Sequence, residues 1–287
     1  MKYALKWSGH ILDLGRRTHV MGVLNVTPDS FSDGGQYYDR KVAIEHALEM
    51  ARDGADIIDI GGESTRPYSE GISATEEIDR VIPVIEAIVN EVPVPISIDS
   101  CKGEVVRMAL KAGASIVNDI SALRFDPEVG SIAAKAEVPV VLMHMKGTPR
   151  DMQVAPEYDD LIAEIKYFLR DAMDRAVDSG IREDLIIVDP GIGFGKTFDD
   201  NLEIIRSLSK FKDLGAPLLL GPSNKAFIGK ILDREPHERD TGTMAAISAG
   251  IINGADIVRV HNVKKAVETV KIIDAIKRAR LSEEPEV

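Results

Sequence analysis

Gly54-Ala55-Asp56-Ile57-Ile58-Asp59-Ile60-Gly61-Gly62 places a helix stop, an apolar run and a polar exit within one short stretch. Glycine takes the left-handed backbone conformation that closes a helix. The run behind it is strand-length and apolar, as a strand buried on both faces requires. The pattern returns. Gly113-Ala114 precedes a run ending in Val117-Asn118-Asp119, and Gly254-Ala255 precedes one ending in Arg259-Val260-His261. Each time an amphipathic helix stops, a buried strand starts, and the strand ends in polar residues. That is the repeating unit of a βα array with parallel strands and crossover helices.

Working outward, eight such strands are expected: Val20–Asn25, Asp56–Ile60, Ile96–Asp99, Ile116–Asp119, Val138–His144, Leu185–Asp189, Pro217–Gly221 and Ile257–Val260. A helical pattern follows each. The clearest spans Asp159–Ser179, with Leu161, Ile165, Phe168 and Ala172 on one stripe and Gly180 as the stop. Eight βα units predict an α/β fold of the TIM (β/α)8 barrel type rather than a doubly wound open sheet. Before it, residues 1–19 read as a short β-ribbon turning at Gly9. The barrel then takes residues 20–280 and a charged tail 281–287, all in a single domain with no linker.

Composition narrows the function. The 287-residue chain has a net charge of −12, which argues against a nucleic-acid or anionic-membrane surface. An anionic substrate therefore has to be met by a local basic cluster. Cys101 is the only cysteine, so no intrachain disulfide forms. No apolar run reaches membrane-spanning length and the N-terminus lacks a signal-type apolar core, so a soluble cytoplasmic protein is expected.

A TIM barrel works at the C-terminal ends of its strands. Read off in order, those ends carry Asn25, Asp59, Asp99, Asn118, His144, Asp189, Ser223 with Lys225, and Arg259 with His261. Any one of them, such as Asn118, could be a satisfied core amide, but so many on one face is hard to explain structurally. Asp99, Asn118, Asp189 and Lys225 suit a slot for a planar heterocycle that bears a ring N–H and an exocyclic amine. Arg259 and His261 suit an anion, and Asn25 offers a neutral oxygen to Mg²⁺. The rival for His261 is a core histidine.

Two patterns are decoys. Gly191-Ile192-Gly193-Phe194-Gly195-Lys196-Thr197 resembles a P-loop but has the wrong spacing, because Pro190 stands where the first glycine is needed. His46, His144 and His237 lack zinc-ligand spacing.

The strand Val20–Asn25 leads into Val26-Thr27-Pro28-Asp29-Ser30-Phe31-Ser32-Asp33-Gly34-Gly35. This stretch resembles the first signature of the dihydropteroate synthases, a family of pterin-binding enzymes. Asp59 through Pro67, Ile98-Asp99, Val117 through Ile120, Leu142 through Met145, Asp189 through Lys196 and Arg259 through His261 continue the resemblance in the family's order. It implies Asn25 on the magnesium of a Mg–pyrophosphate, with Arg259 and His261 on the phosphates. It implies Thr65, Asp99, Asn118, Asp189 and Lys225 on the pterin, and Arg66, Pro67, Phe194 and Ser223 beside the second substrate, an aromatic amine. Loops Thr27–Gly35 and Gly62–Ser73 would close over both, and the family is generally homodimeric. Asp33 is the candidate for negative charge near a developing cation, its rival role being a turn residue.

Two departures stand out. The family usually has Ser-Arg-Lys where this chain has Ser223-Asn224-Lys225, and Asp where it has Asn262. The first keeps open a ribofuranosyl-aminobenzene phosphate, the amine of a methanopterin-type pathway, as an alternative second substrate. A different class sharing the barrel, a methyl-pterin-binding module for a corrinoid partner, should need no pyrophosphate cradle.

Overall fold

The three repeated glycines each close a helix in the left-handed region, Gly54 at φ +96°, Gly113 at +116° and Gly254 at +111°. The next N–H in each case reaches back to a carbonyl of the last turn: Ala55 to Met50, Ala114 to Ala109, Ala255 to Gly250. This is the closure a glycine beyond a helix end provides. The residue after the alanine does more than the sequence pattern suggests. Asp56 was expected inside a strand, but its carboxylate accepts the N–H of Val20 at 2.9 Å, and Asp256 likewise accepts from Leu218 at 2.8 Å. Each carboxylate is matched by a cation, Arg17 or Lys212. The Gly-Ala-Asp triplet thus ends a helix and also caps the start of the neighbouring strand.

The computed structural model describes residues 3–27, 36–64 and 71–279. A two-stranded antiparallel ribbon, β1 (Ala4–Trp7) and β2 (His10–Asp13), comes first and turns at Ser8-Gly9. The parallel strands are β3 (His19–Asn25), β4 (Ile57–Gly61), β5 (Ile96–Asp99), β6 (Ile116–Asp119), β7 (Val140–Met143), β8 (Ile186–Asp189), β9 (Leu219–Leu220) and β10 (Ile257–Val260). Their order is β8-β7-β6-β5-β4-β3-β10-β9, and the Val188–Leu218 bridge returns β9 to β8. The expected TIM barrel is present. Its β9 is shorter than expected, and β7 and β8 begin one to two residues later than expected.

Nine helices surround the strands in the described residues: α1 (Gln36–Arg52), α2 (Ala74–Ile88), α3 (Gly103–Ala112), α4 (Glu128–Ala136), α5 (Leu161–Asp178), α6 (Phe198–Arg206), α7 (Ala226–Leu232), α8 (Asp240–Ile252) and α9 (Val263–Ala279). The connection from β9 to β10 thus carries two of them. In α5 the buried stripe is Ile162, Ile165, Leu169, Ala172 and Ala176. Of the expected stripe, Ile165 and Ala172 are fully buried, and Leu161 and Phe168 are partly buried against the same core, Phe168 also contacting Arg124 and His144. The apolar interior runs continuously through the strands to the inner helix faces. Among the described residues no helix is long and apolar enough to cross a membrane.

The closures are testable. A Cβ on Gly113 would stand 2.4 Å from Val89 Cγ2, whereas one on Gly215, at φ +79°, meets nothing within 4 Å. Gly215→Ala should cost only the left-handed strain, about 1–2 kcal/mol. Gly113→Ala should cost that plus overpacking, about 2–5 kcal/mol in all. Urea unfolding of the two variants measures the difference.

Candidate active site

Strand direction brings the polar ends together. Arg259, on β10, turns into the barrel mouth, where its Nε donates to Asp59 Oδ2 and its Nη2 to Asp99 Oδ2, both at 2.6 Å. Asn118 Nδ2 donates to the same Asp59 oxygen at 3.0 Å. One guanidinium and one amide thus join β10, β4, β5 and β6. Asp59 is fully buried, and its Oδ1 has no partner among the described residues. On the opposite wall the Gly191 N–H donates to Asp189 Oδ1 at 2.7 Å. The Lys225 ammonium stands 4.2 Å from the centre of the Phe194 ring. Ile120, Met143, Met145 and Met152 pack with Phe194 into an apolar wall beside these groups.

Burial sets the electrostatics. It pushes the Asp99 carboxyl up to about 7, with Asp59 adding to the rise and the Arg259 cation opposing it. Burial raises Asp189 to about 6 against the pull of the Gly191 N–H, Lys196, Lys225 and Arg259. Lys225 is lowered to about 8, by burial first and Arg259 second, with Asp189 and Asp99 working the other way. Burial alone would lower Arg259, but Asp59 and Asp99 outweigh it and hold the guanidinium above its ordinary value. Carboxyls and an amine that titrate near neutrality in one cleft are the mark of a working site.

The remaining expected residues are placed as follows. Asn25 ends β3, half-buried, in register with Gly61, which also pairs with Asp99. Ser223 Oγ accepts from the His261 N–H at 3.2 Å and shares a bond with its ring Nδ1 at 2.9 Å. His261 is exposed and opens on a second cleft of about 290 Å³ together with His46, Asp240 and Asn262. Arg259 and His261 therefore have different partners, the two carboxylates for one and Ser223 for the other. Asp33, Thr65, Arg66, Pro67 and most of the two expected closing loops lie outside the described residues. No group of three or more His, Cys, Asp or Glu among the described residues is placed to hold a metal.

Both departures have local structural roles. Asn224 sits at φ +57°, a conformation asparagine tolerates, and its Oδ1 lies 3.4 Å from the Thr243 hydroxyl. Asn262 Oδ1 accepts from the Lys265 N–H at the start of α9, and its Nδ2 donates to Asp240. The apolar wall of Ile120, Met143, Met145 and Met152 was not anticipated. Methionines beside strand ends were its only signal.

A barrel whose strand ends gather an amide, carboxylates and a lysine over an apolar wall defines a site for a flat, nitrogen-rich heterocycle. Comparison with known proteins is more specific. The family model described as pterin binding enzyme matches residues 21–261. A dihydropteroate synthase of Synechocystis sp. is 50% identical over 93% of this chain and 93% of its own length. A solved structure of the Yersinia pestis dihydropteroate synthase with a sulfonamide drug complex superposes with TM-score 0.91 and 43% identity, covering 96% of this chain and 99% of that one. The Xanthomonas albilineans enzyme in complex with 7,8-dihydropteroate gives TM-score 0.85 and 42% identity over 94% and 97%. The chain belongs to the dihydropteroate synthase family of pterin-binding enzymes.

The charge balance can be measured directly. Carbon-detected NMR titration should place the Asp99 midpoint near 7. Arg259→Gln removes the cation that favours the carboxylate and should raise that midpoint. Asp59→Asn removes a like charge and should lower it.

Proposed function

We propose that this chain condenses (7,8-dihydropterin-6-yl)methyl diphosphate with p-aminobenzoate, releasing pyrophosphate and forming 7,8-dihydropteroate in folate biosynthesis. The observation that carries the reading is the Arg259 centre. A cation on β10 bonds Asp59 and the slot carboxylate Asp99, and the strand paired with β10 ends in Asn25. In this reading the pterin lies against the apolar wall. Asp99 and Asp189 accept its N–H groups, Asn118 recognises its edge, and Lys225 donates to a ring nitrogen or keto oxygen.

The carbon–oxygen bond to the diphosphate breaks first and leaves a pterin-stabilised cation. The arylamine nitrogen then bonds to that carbon and loses a proton. No covalent nucleophile is needed, only an anion cradle and a fixed geometry. Arg259 serves the leaving group when its Nη2 exchanges Asp99 for a phosphate oxygen, with Asp59 still holding Nε. His261 meets the same anion from the outer side. Asn25 fits Mg²⁺, since this ion is commonly held by one or two protein oxygens plus substrate phosphates, where it neutralises charge on the leaving group. Arg66, Pro67, Phe194 and Ser223 border the arylamine, Thr65 completes the pterin contacts, and Asp33 opposes the developing cation.

The working form in this reading is a cytoplasmic homodimer. Leu202, Ile252, Ile272 and Ile276, exposed on α6, α8 and α9, support a shared apolar face.

The deciding experiment adds p-aminobenzoate and Mg²⁺ to the purified protein and the pterin diphosphate, then follows pyrophosphate. Release that depends on the amine supports the synthase. Tight pterin binding with no release would support a binding module instead. Asp99→Ala and Asn118→Ala should each weaken pterin diphosphate binding by about 1–3 kcal/mol in calorimetry. Arg259→Ala should weaken Mg–pyrophosphate far more than a pterin lacking phosphate, and equal losses would assign Arg259 to the slot alone. Asp33→Asn should lower kcat by about ten- to a thousandfold with little change in KM for the pterin diphosphate, as steady-state kinetics would show.

A further inference from the structure

The glycine-rich run that imitates a P-loop contains a lysine that the reaction above does not use. Lys196 is only 3% exposed. Its Nζ lies 2.9 Å from the Phe194 carbonyl oxygen, 2.8 Å from His144 Nδ1 and 3.5 Å from the His144 carbonyl oxygen, and none of these partners is a carboxylate. A buried amine without a direct counterion is costly to keep. The segment it belongs to lies against β7: a Cβ on Gly191 would stand 1.9 Å from the His144 carbonyl oxygen.

Three successive carbonyls of this segment are held by side chains, two of them from outside the run. Gly193 accepts from Gln153 Nε2 at 2.8 Å, Phe194 from Lys196, and Gly195 from the Tyr158 hydroxyl at 2.6 Å. Between them the Phe194 ring lies under the Lys225 ammonium, and Gly193 leaves room for the Lys225 stem, 3.0 Å from where a Cβ would be.

We propose that Lys196 is a positioning residue for the pterin slot: by tying the Phe194 carbonyl to the His144 ring it sets where the Phe194 ring and the Lys225 ammonium stand. The proposal rests on the synthase reading of the slot. Lys196 also acts through charge. It faces Asp189 on β8, His144 just after β7, Asp200 at the start of α6 and Lys225 before α7. Asp189 in turn faces Lys196, Lys225 and Arg259, each of which favours its ionised form. Burial lowers the Lys196 amine to about 7 and, with the Lys196 charge, holds His144 well below its ordinary value.

Lys196→Met keeps the length of the side chain and removes both the donor and the charge. The probe is the hydroxymethyl dihydropterin that lacks the diphosphate, followed by calorimetry from pH 5 to 9. Its Kd should rise by about ten- to a hundredfold, the scale of a small misplacement transmitted to a site. The acid limb should also move to higher pH, because Asp189 loses a cation and its pKa rises above about 6. Tyr158→Phe removes a neighbouring anchor of the same segment without changing charge, so it should weaken binding and leave the acid limb in place. His144→Leu approaches the pair from the end of β7 and should weaken binding as well, which keeps the test open if Lys196→Met does not fold. Wild-type affinity in Lys196→Met or His144→Leu, or an acid limb in Lys196→Met that stays where Tyr158→Phe leaves it, overturns the proposal. Failure of the wild-type protein to bind the probe would overturn the synthase reading instead.

Discussion

The Arg259 guanidinium, held between Asp59 and Asp99, is the interaction on which the barrel mouth depends. Two carboxylates this close and this deeply buried would repel each other strongly without it. A buried guanidinium would be equally costly without both of them. Asn118 leans on the same Asp59 oxygen, so four strands from different parts of the chain meet at one charge centre. The centre also leaves charge unbalanced by design. Burial raises the Asp99 carboxyl to about 7, and one Asp59 oxygen has no partner among the described residues. A site in this condition is prepared to exchange one internal bond for a bond to a ligand.

The rest of the fold serves that geometry with few devices used repeatedly. Gly-Ala-Asp ends a helix, starts a strand and caps the strand beside it, at Asp56 and again at Asp256. At the third copy Ser115 stands in place of the aspartate, and its hydroxyl has no partner among the described residues. That substitution marks where the device is relaxed, in the part of the barrel wall away from the ribbon and from Arg17 and Lys212.

Much of this was legible in the sequence because parallel strands with short turns encode themselves locally. Apolar runs, glycine stops and polar strand ends gave eight strands in order and nominated Asn25, Asp99, Asn118, Asp189, Lys225 and Arg259 by position. What the sequence withheld was direction and partnership. Nothing local indicates that Arg259 bonds Asp59 and Asp99 while His261, two residues on, is exposed and bonds Ser223. Strand periodicity puts both on one side of the strand end but does not name the partners each would find there. The α5 stripe holds at Ile165 and Ala172 and is only partly buried at Leu161 and Phe168, where the aromatic also meets Arg124 and His144, neighbours that only tertiary structure supplies. Asn224, which stands where the family usually has arginine, fills a left-handed backbone position next to the slot lysine, a role nothing local in the sequence indicates.

The barrel does not close equally well all the way round. Between β8 and β9 the ladder is reduced to the Val188–Leu218 bridge, with the Val188 N–H bonded to the Pro217 carbonyl at 3.0 Å. Asp189 ends one side of that joint, and Ser223 to Lys225 follow the other. The seam with the fewest backbone bonds thus divides the slot. A heterocycle bonded to Asp189 and Lys225 would stitch that seam from above. It would complete the cylinder where the backbone leaves it thin, so the site's occupant would also be a hoop around the protein that binds it.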